Sequence, residues 1–355
     1  MIKGHGGNIY EISKKLSCNP EEIIDMSSNL NPIGPPPFLI SYIKEHIHSI
    51  LSLPEVDSLS VINAFSEMHN INPQNILVGN GTTQFIYIIP KALKSKNCLI
   101  LSPTYSDYAD ACLMNEACFH HFLSYEQDLF EVNITKLQEK IKCYDLVFIC
   151  NPNNPTGTLI SKIDLLKLCC DNPNTYFVID ESYLPFVYYG EKESLLGVSL
   201  PNLIILNSMS KIFRIPGIRI GFIIASDKII ENIYHYMLPW SVNSIAQLIA
   251  ITILSNYEEI FKFIEDTRKY IINEKKIFKE KLKNKIKIFP SFTSFMLLKL
   301  YEPLNSDIIC NGMLQHKILI RNCSNFKGLS NQFIRISLKN RELNAFFLEK
   351  FLSLL

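Results

Sequence analysis

The stretch Asn207-Ser208-Met209-Ser210-Lys211-Ile212-Phe213-Arg214 sets a lysine between two strongly apolar segments, residues 203–206 and 217–225. Both segments have the composition of buried strands. Lysine is rarely buried without a partner, and removal from water favours loss of its proton. Because a neutral amine is a nucleophile, Lys211 is a candidate catalytic amine, with an ordinary turn lysine as the alternative.

The fold class follows from the segments on either side of this stretch. Short runs rich in Ile, Val and Leu alternate with segments of helical spacing, and the runs show no polar alternation. Such strands lie in sheets covered on both faces, so the pattern predicts an α/β protein with a mostly parallel central sheet. The predicted strands are 98–101, 146–150, 176–179, 203–206 and 217–225, with helices at 134–141 and 161–169.

The chain is predicted to form a large and a small domain. Residues 1–36 form an N-terminal arm that belongs to the small domain, and residues 37–245 form the large domain. Residues 246–355 begin as charged, amphipathic helix and end in a strand pair at 294–300 and 333–338. This last segment therefore predicts a smaller α+β domain.

Composition excludes several classes of protein. The chain has 355 residues, 47% of them hydrophobic, and a net charge of +1, so neither nucleic acid nor a membrane surface is an expected partner. The first residues lack the apolar region of a secretory signal, and we expect a cytoplasmic protein. The ten cysteines include no CxxC pair or Cys/His cluster with ligand spacing, which predicts reduced thiols and no metal site.

Polar residues follow the first predicted strands, where α/β sheets place ligands. In Val78-Gly79-Asn80-Gly81-Thr82-Thr83-Gln84 the glycines permit a tight turn, and Thr82 is expected to cap the helix that follows. The N–H groups at a helix start form an anion site suited to phosphate, although a plain turn before a helix would look the same. Tyr105, after the strand at 98–101, is a candidate to cover a flat ring, or is one more tyrosine.

Three further features occur at the later strands. The loop Asn151-Pro152-Asn153-Asn154-Pro155-Thr156-Gly157 is restricted by two prolines and would hold the Asn154 amide rigidly. Asp180 ends an apolar strand and needs a cationic or hydrogen-bonding partner, with a helix N-cap as the alternative. Arg219 interrupts an apolar run eight residues after Lys211 and requires an anionic partner.

These features together form one chemical set: a phosphate cradle, a ring-covering tyrosine, an amide, a carboxylate, an amine and an arginine. Pyridoxal phosphate requires each of them. Its aldehyde condenses with a lysine amine, and a carboxylate keeps its ring nitrogen protonated.

The motifs also resemble a known family. Asn-Pro-x-Asn-Pro-Thr-Gly, Asp-Glu-x-Tyr and Ser-x-Ser-Lys, with an arginine eight residues later, resemble the fold-type I PLP-dependent aminotransferase superfamily. Histidinol-phosphate aminotransferases share these motifs but usually lack the start His5-Gly6-Gly7-Asn8-Ile9. That start resembles the threonine-phosphate decarboxylases of cobalamin biosynthesis, as do residues 25–34, Pro239-Trp240-Ser241-Val242-Asn243 and 320–325.

The resemblance assigns roles to residues at matching positions. On the residues alone, Arg335 is equally a surface strand residue, and His5 lies in a glycine-rich terminus. The implied catalytic residues are Lys211, Asp180 and Tyr183. Cofactor binding is implied for Gly81, Thr82, Tyr105, Asn154, Asp180, Tyr183, Ser208, Ser210, Lys211 and Arg219, and substrate binding for His5, Asn29, Asn154, Arg321 and Arg335.

The resemblance implies a pyridoxal-phosphate-dependent decarboxylase that acts as a homodimer. Its expected substrate is a phosphorylated amino acid, either threonine phosphate, giving aminopropanol phosphate, or serine phosphate, giving ethanolamine phosphate. A histidinol-phosphate-type aminotransferase is the alternative, and a cofactor-binding protein without activity is a third hypothesis.

One position departs from the family pattern. Many relatives have a tyrosine before the proline of Leu53-Pro54-Glu55, and it reaches across the dimer to the cofactor phosphate. The leucine here leaves that contact without an assigned residue.

Overall fold

The computed structural model describes residues 6–355 as alternating strands and helices. The strands are β1 (Ile24–Asp25), β2 (Ile76–Gly79), β3 (Asn97–Ser102), β4 (Cys118–Leu123), β5 (Leu146–Cys150), β6 (Tyr176–Asp180), β7 (Leu203–Ser208), β8 (Gly221–Ala225), β9 (Lys287–Ile288), β10 (Phe295–Lys299), β11 (Ile318–Leu319), β12 (Arg321–Asn322) and β13 (Phe333–Ser337). The α-helices are α1 (Ile9–Leu16), α2 (Leu39–Glu45), α3 (Leu59–His69), α4 (Thr82–Ala92), α5 (Asp107–Met114), α6 (Ile134–Ile141), α7 (Lys162–Asp171), α8 (Met209–Ile212), α9 (Asp227–Tyr234), α10 (Ser244–Ser255), α11 (Tyr257–Leu282), α12 (Ser306–Leu314) and α13 (Arg341–Leu352).

The central sheet has seven strands in the order β2-β8-β7-β6-β5-β3-β4. The four pairings from β7 to β4 are parallel, and β8 runs antiparallel to both of its neighbours. Every residue of β5 is buried, because helices and loops cover both faces. The predicted α/β class with a mostly parallel sheet is confirmed.

Two strands of this sheet were not predicted. β2 is only four residues long and continues directly into the glycine-rich turn, so its apolar run is too short to be recognised as a strand. β4 lies at the sheet edge, contains two histidines and is exposed or half-buried along its length. An edge strand covered on one side lacks the continuous apolar run that marks a central strand.

The strand predicted at 217–225 is shorter than expected. β8 begins at Gly221, and residues 216–218 form a turn. Arg219 adopts a φ of 61°, which an extended strand does not permit. The chain therefore leaves the sheet before Gly221 and carries the Arg219 side chain toward the start of α4.

The two ends of the chain meet in smaller sheets. β10, β13, β12 and β9 form an antiparallel sheet, and β1 pairs in parallel with β11. Ser337 donates its N–H to the carbonyl oxygen of Met26 at 2.8 Å, which joins the N-terminal segment to β13. This pairing agrees with an arm that packs on the C-terminal part, while the boundaries at 36 and 245 stay predictions.

The ten cysteines are all unpaired thiols. Over residues 6–355, no helix is long and apolar enough to cross a membrane.

Phe148, at the centre of β5, tests the packing of the sheet. It is fully buried and stacks on Tyr108 with ring centroids 5.1 Å apart. Phe148→Ala is expected to lower the free energy of unfolding by about 3–5 kcal/mol, because a large cavity remains. Urea denaturation followed by fluorescence measures this, and the exposed Leu113→Ala in α5 is the control. An unchanged midpoint for Phe148→Ala would contradict the packing described.

Candidate active site

The predicted site residues line two adjoining cavities at the carboxyl ends of the parallel strands. The smaller, of about 90 Å³, lies between the start of α4 and the ends of β6 and β7. The larger, of about 390 Å³, extends from it toward the C-terminal sheet. Tyr105, Asn154, Tyr183 and Lys211 line both cavities, so the two form one continuous site.

Asp180 lies at the inner end of the smaller cavity, where β6 ends. Its Oδ2 accepts a hydrogen bond from the Tyr108 hydroxyl at 2.8 Å, and its Oδ1 accepts the Ser182 N–H at 3.0 Å. No cation forms an ion pair with it among the described residues. No α-helix starts here, so the carboxylate is not a helix N-cap and is available to a protonated ring nitrogen.

The adjacent carboxylate has a different role. Glu181 accepts hydrogen bonds from the Ser194 hydroxyl and the Leu195 N–H, both at 2.7 Å. Burial raises its pKa to about 7. Glu181 therefore holds the loop that contains Ser194 and Leu195, whereas Asp180 lines the cavity.

The opposite end of the smaller cavity is built to hold an anion. Gly81 has a φ of +75°, and a Cβ there would lie 2.5 Å from Arg219 Nη2, so only glycine fits. Arg219 makes only long contacts, 3.4 Å to the Pro216 carbonyl and 3.5 Å to the Asn80 carbonyl. No carboxylate pairs with it among residues 6–355.

Hydroxyl and backbone N–H groups also line the anion-binding end of the smaller cavity. The Ser208 and Ser210 hydroxyls lie 2.8 Å apart and are both buried. The expectation that Thr82 caps α4 is wrong: the N-cap is Gly81, and Thr82 is the first helical residue. Because Gly81 has no side chain to cap the helix, the first N–H groups of α4 stay available to a bound anion.

Lys211 lies in α8 between these two ends. Its backbone carbonyl accepts the N–H of Asn31 at 3.1 Å, which joins α8 to the N-terminal segment. Burial, together with the positive charges of Arg219 and Arg335, lowers the pKa of Lys211 to about 8, although Asp180 opposes the shift. A substantial fraction of the amine is therefore neutral near neutral pH, as a nucleophile requires.

The larger cavity carries the predicted substrate residues. Asn29 donates from Nδ2 to the Tyr183 hydroxyl at 3.2 Å and accepts from the Ser337 hydroxyl at 2.7 Å. Arg335 donates to Asn154 Oδ1 and to the Ser27 carbonyl. Arg335 is buried, so it is not a surface strand residue, and its Nε has no hydrogen-bond partner among residues 6–355.

Arg321 lies at the outer end of the larger cavity. It donates from Nη2 to Asn325 Oδ1 at 2.8 Å, and its guanidinium lies 4.8 Å from the centre of the Phe326 ring. Arg321, Arg335, Lys211 and Lys327 give the cavity four cationic side chains. None of the described lining residues is a carboxylate, so the cavity suits a substrate with more than one negative charge.

The structure brings all predicted site residues together except one that it does not describe. His5 lies outside residues 6–355, and Leu53 is exposed and lines neither cavity. The sequence prediction missed Tyr108, although it lies in the helix that begins two residues after Tyr105. It also missed His121 and Lys327, because an edge strand and a surface loop carry no pattern typical of a site.

The comparisons with known proteins identify the family. Residues 21–351 match the family described as aminotransferase class I and II. The chain therefore belongs to this family, which depends on pyridoxal phosphate. The predicted superfamily resemblance and the prediction of an enzyme are confirmed.

Two relatives within the family are similar to this chain over nearly its whole length. The chain is 35% identical over 98% of its length to the adenosylcobalamin biosynthesis bifunctional protein CobDQ of Leptospira interrogans, and spans 40% of that relative. It is 33% identical to the "Putative threonine-phosphate decarboxylase" of Caldanaerobacter subterraneus, with 97% and 92% of the two chains covered.

Solved structures of both a decarboxylase and an aminotransferase resemble this chain. The L-threonine-O-3-phosphate decarboxylase of Porphyromonas gingivalis superposes with a TM-score of 0.81 at 28% identity, covering 93% of this chain and 99% of that one. The histidinol-phosphate aminotransferase of Clostridium acetobutylicum has a TM-score of 0.85 at 27% identity, covering 93% and 98%. The fold is therefore common to decarboxylases and aminotransferases, and the site must decide between them.

The lowered pKa of Lys211 leads to a direct test. In cofactor-free protein, acylation of Lys211 should reach half its maximal rate near pH 8, whereas an exposed lysine titrates at about 10.4. Arg219→Gln should raise this midpoint, because a neighbouring cation that disfavours the protonated amine is removed. Mass spectrometry of labelled peptides between pH 6 and 11 measures both, with exposed lysines in the same digest as reference. A midpoint near 10.4 in the unaltered protein would contradict the shift.

Proposed function

We propose that the protein is a pyridoxal-phosphate-dependent decarboxylase of a phosphorylated amino acid, with O-phospho-L-threonine as the preferred substrate. The observation that carries the proposal is the cation-lined cavity that opens directly onto Lys211. A substrate with a carboxylate and a phosphate matches its charge. The similarity to relatives with decarboxylase names supports the same reaction.

The residues of the smaller cavity fit the cofactor at each of its polar groups. Its phosphate would lie at the start of α4, against Gly81, Ser208, Ser210 and Arg219. The phosphate would supply the anionic partner that Arg219 lacks among the described residues. Asp180 would accept a hydrogen bond from the ring nitrogen. The bound cofactor supplies an electron-withdrawing ring that receives the electrons of a bond broken at the substrate Cα.

The remaining groups would fix the ring in its plane. Arg335 donates to Asn154 Oδ1, so the Nδ2 donor of Asn154 would be left to bind the phenolic oxygen of the cofactor. Tyr183 lines the same region, and its ring packs edge-on against Phe295 at 5.2 Å. Tyr105 lies edge-on to Tyr108 at 5.9 Å and would cover one face of the ring.

Substrate orientation decides which bond at Cα breaks. The bond perpendicular to the cofactor ring breaks most easily, because only its electrons overlap with the ring system. Arg321, Arg335 and Asn29 would hold the anionic groups of the substrate, and His5 is proposed to join them. We infer that this grip turns the carboxylate out of the ring plane, so that remote binding energy selects loss of CO2.

Lys211 would then return a proton to Cα. Its pKa of about 8 is close to the working pH, so the amine can carry a proton and release it in the same cycle. The product would be an aminoalkyl phosphate, aminopropanol phosphate when threonine phosphate is the substrate.

Two other activities are less well supported. A histidinol-phosphate aminotransferase would use the same cofactor residues. However, the relatives with cobalamin-biosynthesis or decarboxylase names are 35% and 33% identical to this chain, whereas the histidinol-phosphate aminotransferase of Clostridium acetobutylicum is 27% identical. A protein without activity would have lost its lysine or aspartate, whereas Lys211 and Asp180 line the same cavity.

We also propose a cytoplasmic homodimer. Members of the family are typically dimers. Exposed apolar side chains are concentrated in residues 33–59 and 234–240, and the N–H of Trp240 donates to the Val56 carbonyl at 3.2 Å, which joins the two segments. Leu53 occupies the position where many relatives carry the cross-subunit tyrosine. It is 76% exposed in the single chain, and we propose that a second copy of the chain covers it.

Substrate choice is the central test. Purified protein loaded with cofactor should release CO2 from O-phospho-L-threonine and form an equal amount of aminopropanol phosphate. O-Phospho-L-serine should react less well by about 1–3 kcal/mol in kcat/KM, the difference that one methyl group provides. Stoichiometric formation of glutamate from histidinol phosphate and 2-oxoglutarate, without release of CO2, would instead identify an aminotransferase.

Lys211→Ala should abolish the yellow absorption of the cofactor-loaded protein and lower kcat by at least about a hundred-fold, because both the covalent amine and the proton donor are lost. Absorbance spectra and CO2 release measure the two effects. Lys228→Ala, an exposed lysine of α9, is the matched control. An unchanged spectrum in Lys211→Ala would remove Lys211 from its role.

Leu53→Asp should convert the dimer to monomers at micromolar concentration, because a carboxylate would be buried in an apolar interface. Sedimentation velocity gives the mass directly. Leu113→Asp, an equally apolar and exposed position in α5, should leave the mass unchanged. A dimer that persists in Leu53→Asp would place the interface elsewhere.

A further inference from the structure

Two basic side chains in the wall of the larger cavity have not yet been assigned to a particular group of the substrate. His121 comes from the edge strand β4, and Lys327 comes from the loop between β12 and β13. Burial lowers the pKa of His121, and the positive charge of Lys327 lowers it further. Both line the same cavity as Arg321 and Asn325.

The Lys327 loop is held in place on both sides of the lysine. Phe326 is buried in an apolar cluster with Phe130 and Phe289. Gly328 has a φ of +93°, and a Cβ there would lie 3.1 Å from Leu123 at the end of β4. Phe326 and Gly328 thus fix the loop against the large-domain sheet, which keeps Lys327 at the cavity.

Ser102 is the hydrogen-bonding neighbour of the His121 ring and bears on its tautomer. The Ser102 hydroxyl lies 2.7 Å from His121 Nδ1, and its other acceptor, the Ile100 carbonyl, lies farther away at 3.4 Å. We infer that the hydroxyl donates to Nδ1. Burial, with Lys327 and His120 nearby, lowers the pKa of His121, so the ring is neutral at neutral pH and carries its proton on Nε2.

We propose that His121 and Lys327, with Arg321, form a phosphate subsite that selects phosphorylated amino acids, an inference that rests on the proposed function. A phosphate monoester carries a charge of about −1.5 to −2 at pH 7 and three acceptor oxygens. Lys327 supplies charge, and His121 Nε2–H supplies a neutral donor of fixed direction. Ser102 acts as a positioning residue, because its hydroxyl holds the imidazole at Nδ1.

The test compares two pairs of variants in the cofactor-loaded protein. Lys327→Met and His121→Leu should each lower kcat/KM for O-phospho-L-threonine about ten-fold, as loss of one charge-assisted hydrogen bond does. Calorimetry with inorganic phosphate, which needs no turnover, should show the dissociation constant rising by a similar factor. Lys327→Arg and His121→Gln should recover most of the affinity, because each retains a donor. Lys228→Met is the surface control.

The outcomes separate this inference from the proposed function. Unchanged phosphate affinity in Lys327→Met and His121→Leu would overturn the subsite, as would equal losses in Lys327→Arg and His121→Gln. If the unaltered protein releases no CO2 from any phosphorylated amino acid, the proposed function fails. The calorimetric comparison then still decides whether these side chains bind phosphate.

Discussion

The site depends on an amine held among cations inside the protein. Removal of Lys211 from water, with added repulsion from the nearby Arg219 and Arg335, lowers its pKa to about 8. Neither arginine has a carboxylate partner among the described residues, so their charge is not neutralised within the protein. The same two guanidiniums that make the amine reactive therefore attract the anions of cofactor and substrate.

This arrangement needs both ends of the chain. Asn31, in the N-terminal arm, binds the backbone of Lys211 and Ile212 and the Thr267 hydroxyl of α11. Arg335 is fixed by the Ser27 carbonyl and by Asn154 of the large-domain loop. A small shift of the arm would thus disturb both the amine and the anion site, which connects the fold directly to the proposed chemistry.

Much of the fold and the cofactor site could be predicted because their signals are local. β5 and α6 occur at the predicted residues, and Asp180 and Lys211 each end or follow a strand that the sequence predicted. The errors have physical reasons. β4 is a partly exposed edge strand, and β8 begins late because Arg219 has a positive φ that a run of apolar letters does not reveal.

The parallel sheet, the order of the cofactor motifs and the candidate amine could be predicted from the residues alone, because strand patterns and strand-end motifs are encoded within a few residues. Only the tertiary structure decided that Arg335 is buried, that Tyr108 holds Asp180, and that His121 and Lys327 share a cavity. These contacts join residues from 72 to 308 positions apart, and no local pattern carries the geometry of such a contact.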